Sequence, residues 1–420
     1  MRAAGLLVLA MIGLYGCMLL DVKEQQQKLH AACTVKGTAR SAHSADRPVV
    51  VLLLRQAGDT AKWQIASHFV LEHDGRFVFT IADGAGKYSA AAFEDVNRDS
   101  ALGADEPFVS FADTVTCSPG AVHDSFVLNI PAGRQGRPEF DAGHFQSRTL
   151  TEQVSAVFGQ TVAVGELTSL AEDMFRPENA DTGLWRPFDF LVEGYAGIYF
   201  LESYDPKRIP VLFVHGINDT PARFSYLIDH LDRKRFQAWI YYYPTGLPLA
   251  TVADQLNQTV IKLQVRHGVR RMAVIAHSMG GLVSRGFINR HAAAGRGTEI
   301  PLFVSLSTPW GGVKSAAAGV RNSPVVVEVW RDMAPGSDYQ QSLFAQPLPA
   351  GLQHYMLVTY QRKSGSFGES DDQTVTVASQ FFRRAQLGAT RVYGFDDTHV
   401  GVLSDPEVSE LLNELLARSF

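Results

Sequence analysis

Cysteine is scarce in this chain of 420 residues: Cys17, Cys33 and Cys117 are the whole complement. That is too few for a cysteine-rich framework. An excess of positive charge is also missing, since the formal net charge is −5. The nearest thing to a basic patch, Arg266–Arg271, sits just before an apolar strand and reads as a solvated loop. Nothing in the charge pattern therefore calls for a nucleic-acid partner. A third absence is helical periodicity, which does not occur between Cys33 and about Pro131. That stretch must be something other than a helical bundle.

What is present is apolar material in quantity, 46% of residues against 19% charged, enough for a sizeable core. The length suggests two or three domains. An uncharged, mostly apolar run from Ala3 to Leu20 follows Arg2, so residues 1–20 read as an export signal. Leu14-Tyr-Gly-Cys17 resembles a bacterial lipobox, which would make Cys17 the lipidated N-terminus; an uncleaved signal anchor is the other reading. Both put the protein in the cell envelope, on the periplasmic side or at the outer membrane, with membrane association through the N-terminus. In an exported chain Cys33 and Cys117 invite a disulfide; two unpaired thiols in a β-core are the alternative.

Residues 30–132 read as a small β-sandwich. Val49–Leu54, Trp63–Leu71, Arg76–Ile81, Tyr88–Phe93, Phe108–Phe111 and Ser125–Ile130 are short, rich in Val, Phe and Ile, and separated by Gly, Asp and Pro. Within it Asp95, Asn97, Asp99 and Glu106 have the oxygen-ligand spacing of a calcium loop, though Ser100 stands where the sharp turn wants glycine. A structural calcium and a solvated acidic turn both fit. Residues 133–186 read as a linker, Gly133–Arg148, and a helical bridge, Thr149–Phe175, broken near Gly159–Gly165. Pro187–Tyr204 then reads as a hairpin of Phe188–Val192 and Ile198–Leu201.

From Ile209 the rhythm becomes strand and helix in alternation. Apolar strands at Val211–Val214, Ala238–Tyr243, Met272–Ala276, Leu302–Leu306, Tyr355–Tyr360 and Arg391–Phe395 imply a mostly parallel sheet covered by helices on both faces. Helices are expected at Arg223–Lys234, Val252–Val265 and Glu407–Leu416. Val274–Leu282, Val-Ile-Ala-His-Ser-Met-Gly-Gly-Leu, organises this unit. A strand ends at Ser278 and a helix begins at once, with Ala276 and Gly280 as the small flanking residues. Such an elbow strains its apex and lifts the serine hydroxyl clear of the sheet.

On these pieces residues 187–420 resemble the α/β-hydrolase superfamily. They are Val-His215-Gly216-Ile217, Ala-His-Ser278-Met279-Gly-Gly, Ser-Thr308-Pro309-Trp-Gly-Gly, Asp371-Asp372-Gln-Thr-Val and Thr398-His399. The resemblance is to the lipase-like branch that includes bacterial triacylglycerol lipases and GPI inositol-deacylase-like serine esterases. It implies an α/β-hydrolase domain that cleaves carboxylic, lipid-like esters, and it does not extend to residues 1–150.

The residues give their own reasons for the same chemistry. A serine hydroxyl needs a neighbouring base, and the base needs a carboxylate to orient it. The fold's chain order of nucleophile, acid, histidine leaves His291, His354 and His399 after the elbow. His291 lies on the elbow's own helix and His354 at the wrong end of its strand, so His399 is selected. Asp372 is preferred to Asp371 because Val375 stands three residues on, as in the family's Asp-Gly-x-Val, with Gln373 in place of the glycine. Asp396 and Asp397 read as turn residues. Met279 and, carried over from the His-Gly-x pattern, Ile217 are expected to supply oxyanion N–H groups, with His215 and Gly216 structural and His277 a packing residue. Tyr243–Gly246 and Trp310–Gly312 are expected to line an acyl pocket, and 312–352 to form either a lid or extra packed helices. No cofactor is required. An acyltransferase with the same triad, or a surface-binding protein on a hydrolase scaffold, are the rival functions.

Overall fold

Short runs of Val, Phe and Ala build the front of the molecule. The computed structural model describes residues 20–28, 30–43, 47–56, 62–81, 86–99, 101–136, 138, 140, 162–293, 297–361 and 370–420. The expected signal, with Cys17, and most of the linker therefore lie outside the described residues. Eight strands form the first unit: β1 (Cys33–Ser41), β2 (Val49–Gln56), β3 (Trp63–Leu71), β4 (Gly75–Ile81), β5 (Gly86–Glu94), β6 (Phe108–Ser110), β7 (Val115–Cys117) and β8 (Val122–Ile130). One sheet runs β4-β1-β8 and the other β3-β2-β5-β6, with β7 on β5. Val35, Phe79 and Phe126 of the first pack on Val51, Leu53 and Ala92 of the second. The opposite face of β2, Val50, Leu52 and Leu54, packs on Ile261 and Val265 of the helix Leu249–His267. Burial on both faces is why Val49–Leu54 is apolar without alternation.

A disulfide joins Cys33 to Cys117 with Cα atoms 5.7 Å apart, tying β1 of one sheet to β7 of the other. In the segment that holds the calcium candidate, Asn97 Nδ2 donates to Asp99 Oδ2 at 2.8 Å and Asp99 Oδ1 accepts the N–H of Ala101 at 2.7 Å. Glu106 spends both carboxylate oxygens on the N–H groups of Val96 and Gly103, each at 2.8 Å. The acidic segment is a self-braced turn.

The second unit is one sheet of β9 (Ala163–Leu167), β10 (Gly197–Phe200), β11 (Ile209–Val214), β12 (Phe236–Tyr242), β13 (Arg271–His277), β14 (Glu299–Leu306), β15 (Gln353–Tyr360) and β16 (Arg391–Asp396). Its order is β16-β15-β14-β13-β11-β12-β10-β9. From β12 through β16 every neighbouring pair is parallel, and β10 runs antiparallel to β12. The chain leaves β11 for β12 on one side and returns as β13 on the other. The carboxyl ends of β11 and β13 therefore flank the switch point, where open α/β sheets bind ligands.

Three expectations fail locally. Phe188–Val192 is not a strand but part of the helix Pro187–Val192, since Pro187 occupies the first helical turn, where proline is favoured. The bridge expected as helical over Thr149–Phe175 contains β9. Gly165, at φ +80°, breaks any helix there, and the true helix, Pro177–Trp185, lies further on. The helix expected over Arg223–Lys234 shrinks to Ser225–Asp229 after a 3₁₀ turn. Residues 312–352 form three short helices, Lys314–Asn322, Glu328–Met333 and Asp338–Leu343. The last two are firmly packed. Val329, Met333 and Leu343 are buried, Arg285 and Asn289 donate to the carbonyl of Leu343 at 3.0 Å, and Asp332 accepts the N–H of Leu249 at 2.6 Å.

A helix over 20–28 precedes β1. Gln25 Oε1 accepts the N–H groups of Phe188 (2.9 Å) and Asp189 (3.2 Å), two of the orphan donors at the start of the helix Pro187–Val192. Its amide donates to Asp189 Oδ1 at 3.0 Å, and Gln26 bonds to Glu328 at 3.3 Å.

Candidate active site

Ser278 has φ +53°, a conformation that costs a non-glycine residue about 1–3 kcal/mol and persists only where the surroundings enforce it. Here they do. The Ser278 N–H donates to Leu306 O at 2.8 Å on the adjacent strand. A Cβ on Gly280 would lie 2.3 Å from Val214 O and 2.5 Å from His215 O. One on Gly281 would lie 2.0 Å from Thr308 Oγ1. The glycines let the helix Met279–Ala293 start against β11 and β14 with no gap, which forces the turn at the serine.

The structure brings Ser278, His399 and Asp372 together. Ser278 Oγ is 2.9 Å from His399 Nε2, and His399 Nδ1 is 2.7 Å from Asp372 Oδ2. All three side chains are buried, Asp372 completely. Its Oδ1 accepts the N–H groups of Thr374 (3.0 Å) and Val375 (2.7 Å). Its Oδ2 accepts the Thr359 hydroxyl (2.7 Å) and the Gln380 amide (3.0 Å) as well as the imidazole. Burial pushes the Asp372 carboxyl up, but the His399 hydrogen bond and charge, the Thr359 hydroxyl and the Val375 amide outweigh it and hold it below the ordinary carboxylate range. The acid is ionised while enclosed.

The competing residues fall elsewhere. Asp371 accepts the N–H of Gln373 at 3.1 Å and shapes its own turn, and Asp397 does the same with Thr398 at 2.6 Å. His291 sits between Asn257 and Thr298, and His354, at the start of β15, faces Ser305 at 2.9 Å. Gln373 has φ +79°, the left-handed region where the family pattern has glycine.

Ile217 follows the carboxyl end of β11 and Met279 opens the elbow helix, where a first-turn N–H has no intrahelical acceptor. Gly216 lies against the nucleophile, since a Cβ there would be 3.0 Å from Ser278 Cβ. His215 donates from Nδ1 to Gly216 O at 2.9 Å and stacks on Tyr243, whose hydroxyl donates to His215 O at 2.6 Å. Burial lowers His215 to about 3, so its ring stays neutral. Tyr243 and Trp310 are therefore supports. Both are fully buried, and Trp310 packs edge-on against Phe303 and Phe344. Thr245 Oγ1 accepts the N–H of Asn218 at 3.3 Å.

Thr359 and Gln380 had no signal in the sequence, and His277 reads there only as a packing residue. They act across strands, through contacts that spacing along the chain does not reveal. His277 Nε2 lies 2.8 Å from His399 O, so it does more than pack.

The mostly parallel sheet with the serine on a strand–turn–helix elbow is the arrangement that the resemblance to the α/β-hydrolases implies. Residues 253–322, which include the elbow, match the family model described as lecithin:cholesterol acyltransferase. No curated protein matches the chain by sequence. Among solved structures it is similar to the mature Bacillus licheniformis lipase BlEst2, at 17% identity and TM-score 0.41, over 51% of this chain and 94% of that one. Aspergillus fumigatus lipase B aligns at 13% identity and TM-score 0.39, over 53% and 56%. Phospholipase PlaB from Legionella pneumophila aligns at 17% identity and TM-score 0.35, over 41% and 45%.

Proposed function

We propose that this chain is an exported serine hydrolase that cleaves carboxylic, lipid-like esters through an acyl-enzyme. The observation that carries the reading is the continuous relay from Ser278 Oγ to His399 to a buried, ionised Asp372, at 2.9 and 2.7 Å, on a strained elbow. His399 Nε2 takes the hydroxyl proton as Oγ attacks the ester carbonyl, and Asp372 stabilises the imidazolium that results. The oxyanion is assigned to the N–H groups of Ile217 and Met279; one such donor contributes about a hundredfold or more in rate. The imidazolium then protonates the departing alcohol, and water, activated by the same nitrogen, releases the acid and restores Ser278.

The reading predicts that a fluorophosphonate labels Ser278 in wild-type protein and not in Ser278→Ala. It also predicts that nitrophenyl esters are turned over with a preferred acyl length. A folded wild type that neither labels nor turns over any ester of the series would leave the surface-binding rival standing. Acyl transfer is the second reading, favoured by the family match over 253–322. It uses the same first half-reaction and replaces water by an alcohol. Product analysis with an added alcohol acceptor separates the two.

Attachment to the envelope membrane is part of the proposal. The apolar run Ala3–Leu20 and Cys17 support it. Labelled palmitate should enter wild type and not Cys17→Ser; equal labelling of both, or none, would overturn lipidation at this cysteine.

A further inference from the structure

Resting on the hydrolase reading above, we propose that His277 is a positioning residue that registers the base, His399, to the strand carrying the nucleophile. His399 is held at four points. Its N–H donates to Asp372 O at 2.9 Å, Nδ1 faces Asp372 Oδ2, Nε2 faces Ser278 Oγ, and its carbonyl lies 2.8 Å from His277 Nε2. Three of these belong to the triad itself. The fourth comes from the last residue of β13, one position before the serine.

The chemistry of the fourth contact is determined by its acceptor. A carbonyl oxygen carries no hydrogen, so Nε2 of His277 must hold the proton and donate it. Nδ1 is then a bare lone pair. It has no hydrogen-bond partner among the described residues, and it faces Gly216, where a Cβ would come 3.4 Å from it. The ring lies 4.8 Å from the His399 ring, centroid to centroid, and is almost wholly buried. Burial first, then the neighbouring His399, lowers His277 to about 3. It stays neutral and does not compete for the proton that His399 must carry.

One side chain thus spaces the base from the turn that precedes Ile217. Because 277 and 278 are consecutive, any movement of the strand end carries the hydroxyl and the anchor of the imidazole together. Losing the anchor frees the loop 397–401 at its carboxyl side, where a displacement of the ring by about 1 Å costs on the order of a hundredfold in rate.

Three full-length variants test this. Phe at 277 keeps the ring and removes the donor. Gln places an amide N–H near the position of Nε2, and Asn stops near the position of Nδ1. Expected are a loss of kcat of about a hundredfold in His277→Phe with KM within about twofold, a similar loss in His277→Asn, and recovery of most of kcat in His277→Gln. The low-field proton resonance of the His399–Asp372 hydrogen bond should broaden or move in the Phe and Asn variants only. An active His277→Phe with unchanged kcat overturns the proposal. So do equal losses in all three variants that track a lowered Tm while the resonance stays as in wild type. A wild type that fails to hydrolyse esters or label at Ser278 sinks the hydrolase reading instead, and the resonance series still decides the role of His277.

Discussion

The hydroxyl of Thr359 donates at 2.7 Å to Oδ2 of Asp372, the oxygen that also faces the Nδ1 of His399. Thr359 sits near the end of β15 and its Oγ1 is a further 2.8 Å from Oγ of Ser307, the residue that follows β14. The acid is thus tied to two strands of the sheet, although it stands on a loop. Replacing Thr359 by Val keeps the shape and removes one hydrogen bond to a charged group, a loss of roughly 1.5–3 kcal/mol. Expected is a lowered Tm and, if half of that energy is felt in the transition state, a fall in kcat of roughly four- to thirteenfold. Thr359→Ser should restore both. Ester kinetics and thermal unfolding of the two variants check it.

Asparagine at 372 and at 397 should separate the orienting acid from a turn residue. Asp372→Asn should lose about ten-thousandfold in kcat, because the amide favours the wrong imidazole tautomer. Asp397→Asn should stay near wild type. The reverse ordering in steady-state kinetics would reassign the acid.

The Asp372 carboxyl also predicts a pH dependence of stability. Its folded value lies below the unfolded one. Its ionisation therefore stabilises the fold fully above the ordinary carboxylate range, and that contribution is lost as the pH falls through the lowered folded value. The Tm advantage of wild type over Asp372→Asn should therefore be largest near neutrality and shrink on acidification. A gap that widens toward acid contradicts the assignment.

Gln373, at φ +79°, occupies a conformation that disfavours any residue with a Cβ by about 1–2 kcal/mol. Gln373→Gly should leave ester turnover unchanged and keep or raise Tm. A drop of several degrees would mean that the Gln373 amide, which donates to Gln361 at 2.7 Å, matters more than the backbone.

Cys33 and Cys117 are 84 residues apart and close a long loop around the first unit. Removing both as Cys33→Ala/Cys117→Ala should cost roughly 2–4 kcal/mol. Thermal unfolding should show the loss, with ester turnover at low temperature retained, because the relay lies in the other sheet.

The sequence was most readable where backbone sterics and chain order act alone. Gly280 and Gly281 announce an elbow because no Cβ fits there against the end of β11 and against Thr308. His399 follows from its place after the last strand. Continuous apolar runs such as Val211–Val214 announce parallel strands, as both of their faces are covered. It was least readable where the deciding contact is remote. Phe188–Val192 is as apolar as a strand, and only Pro187 and the clasp from Gln25 tilt it to helix. Strand β1 passed unnoticed because exposed Lys36 and Arg40 and half-buried Thr38 interrupt its few apolar residues, Val35 and Ala39. Thr359, Gln380 and His277 are ordinary polar residues until the sheet brings them to Asp372 and His399.

The clasp between Gln25 and the start of the helix Pro187–Val192 has a mechanical corollary. Only Met18 and Leu19 separate Cys17 from the helix over 20–28, a leash of at most about 10 Å. If an acyl chain is attached at that cysteine, the hydrolase body has almost no slack. Its distance from the surface would then be set by that short leash and not by a long tether.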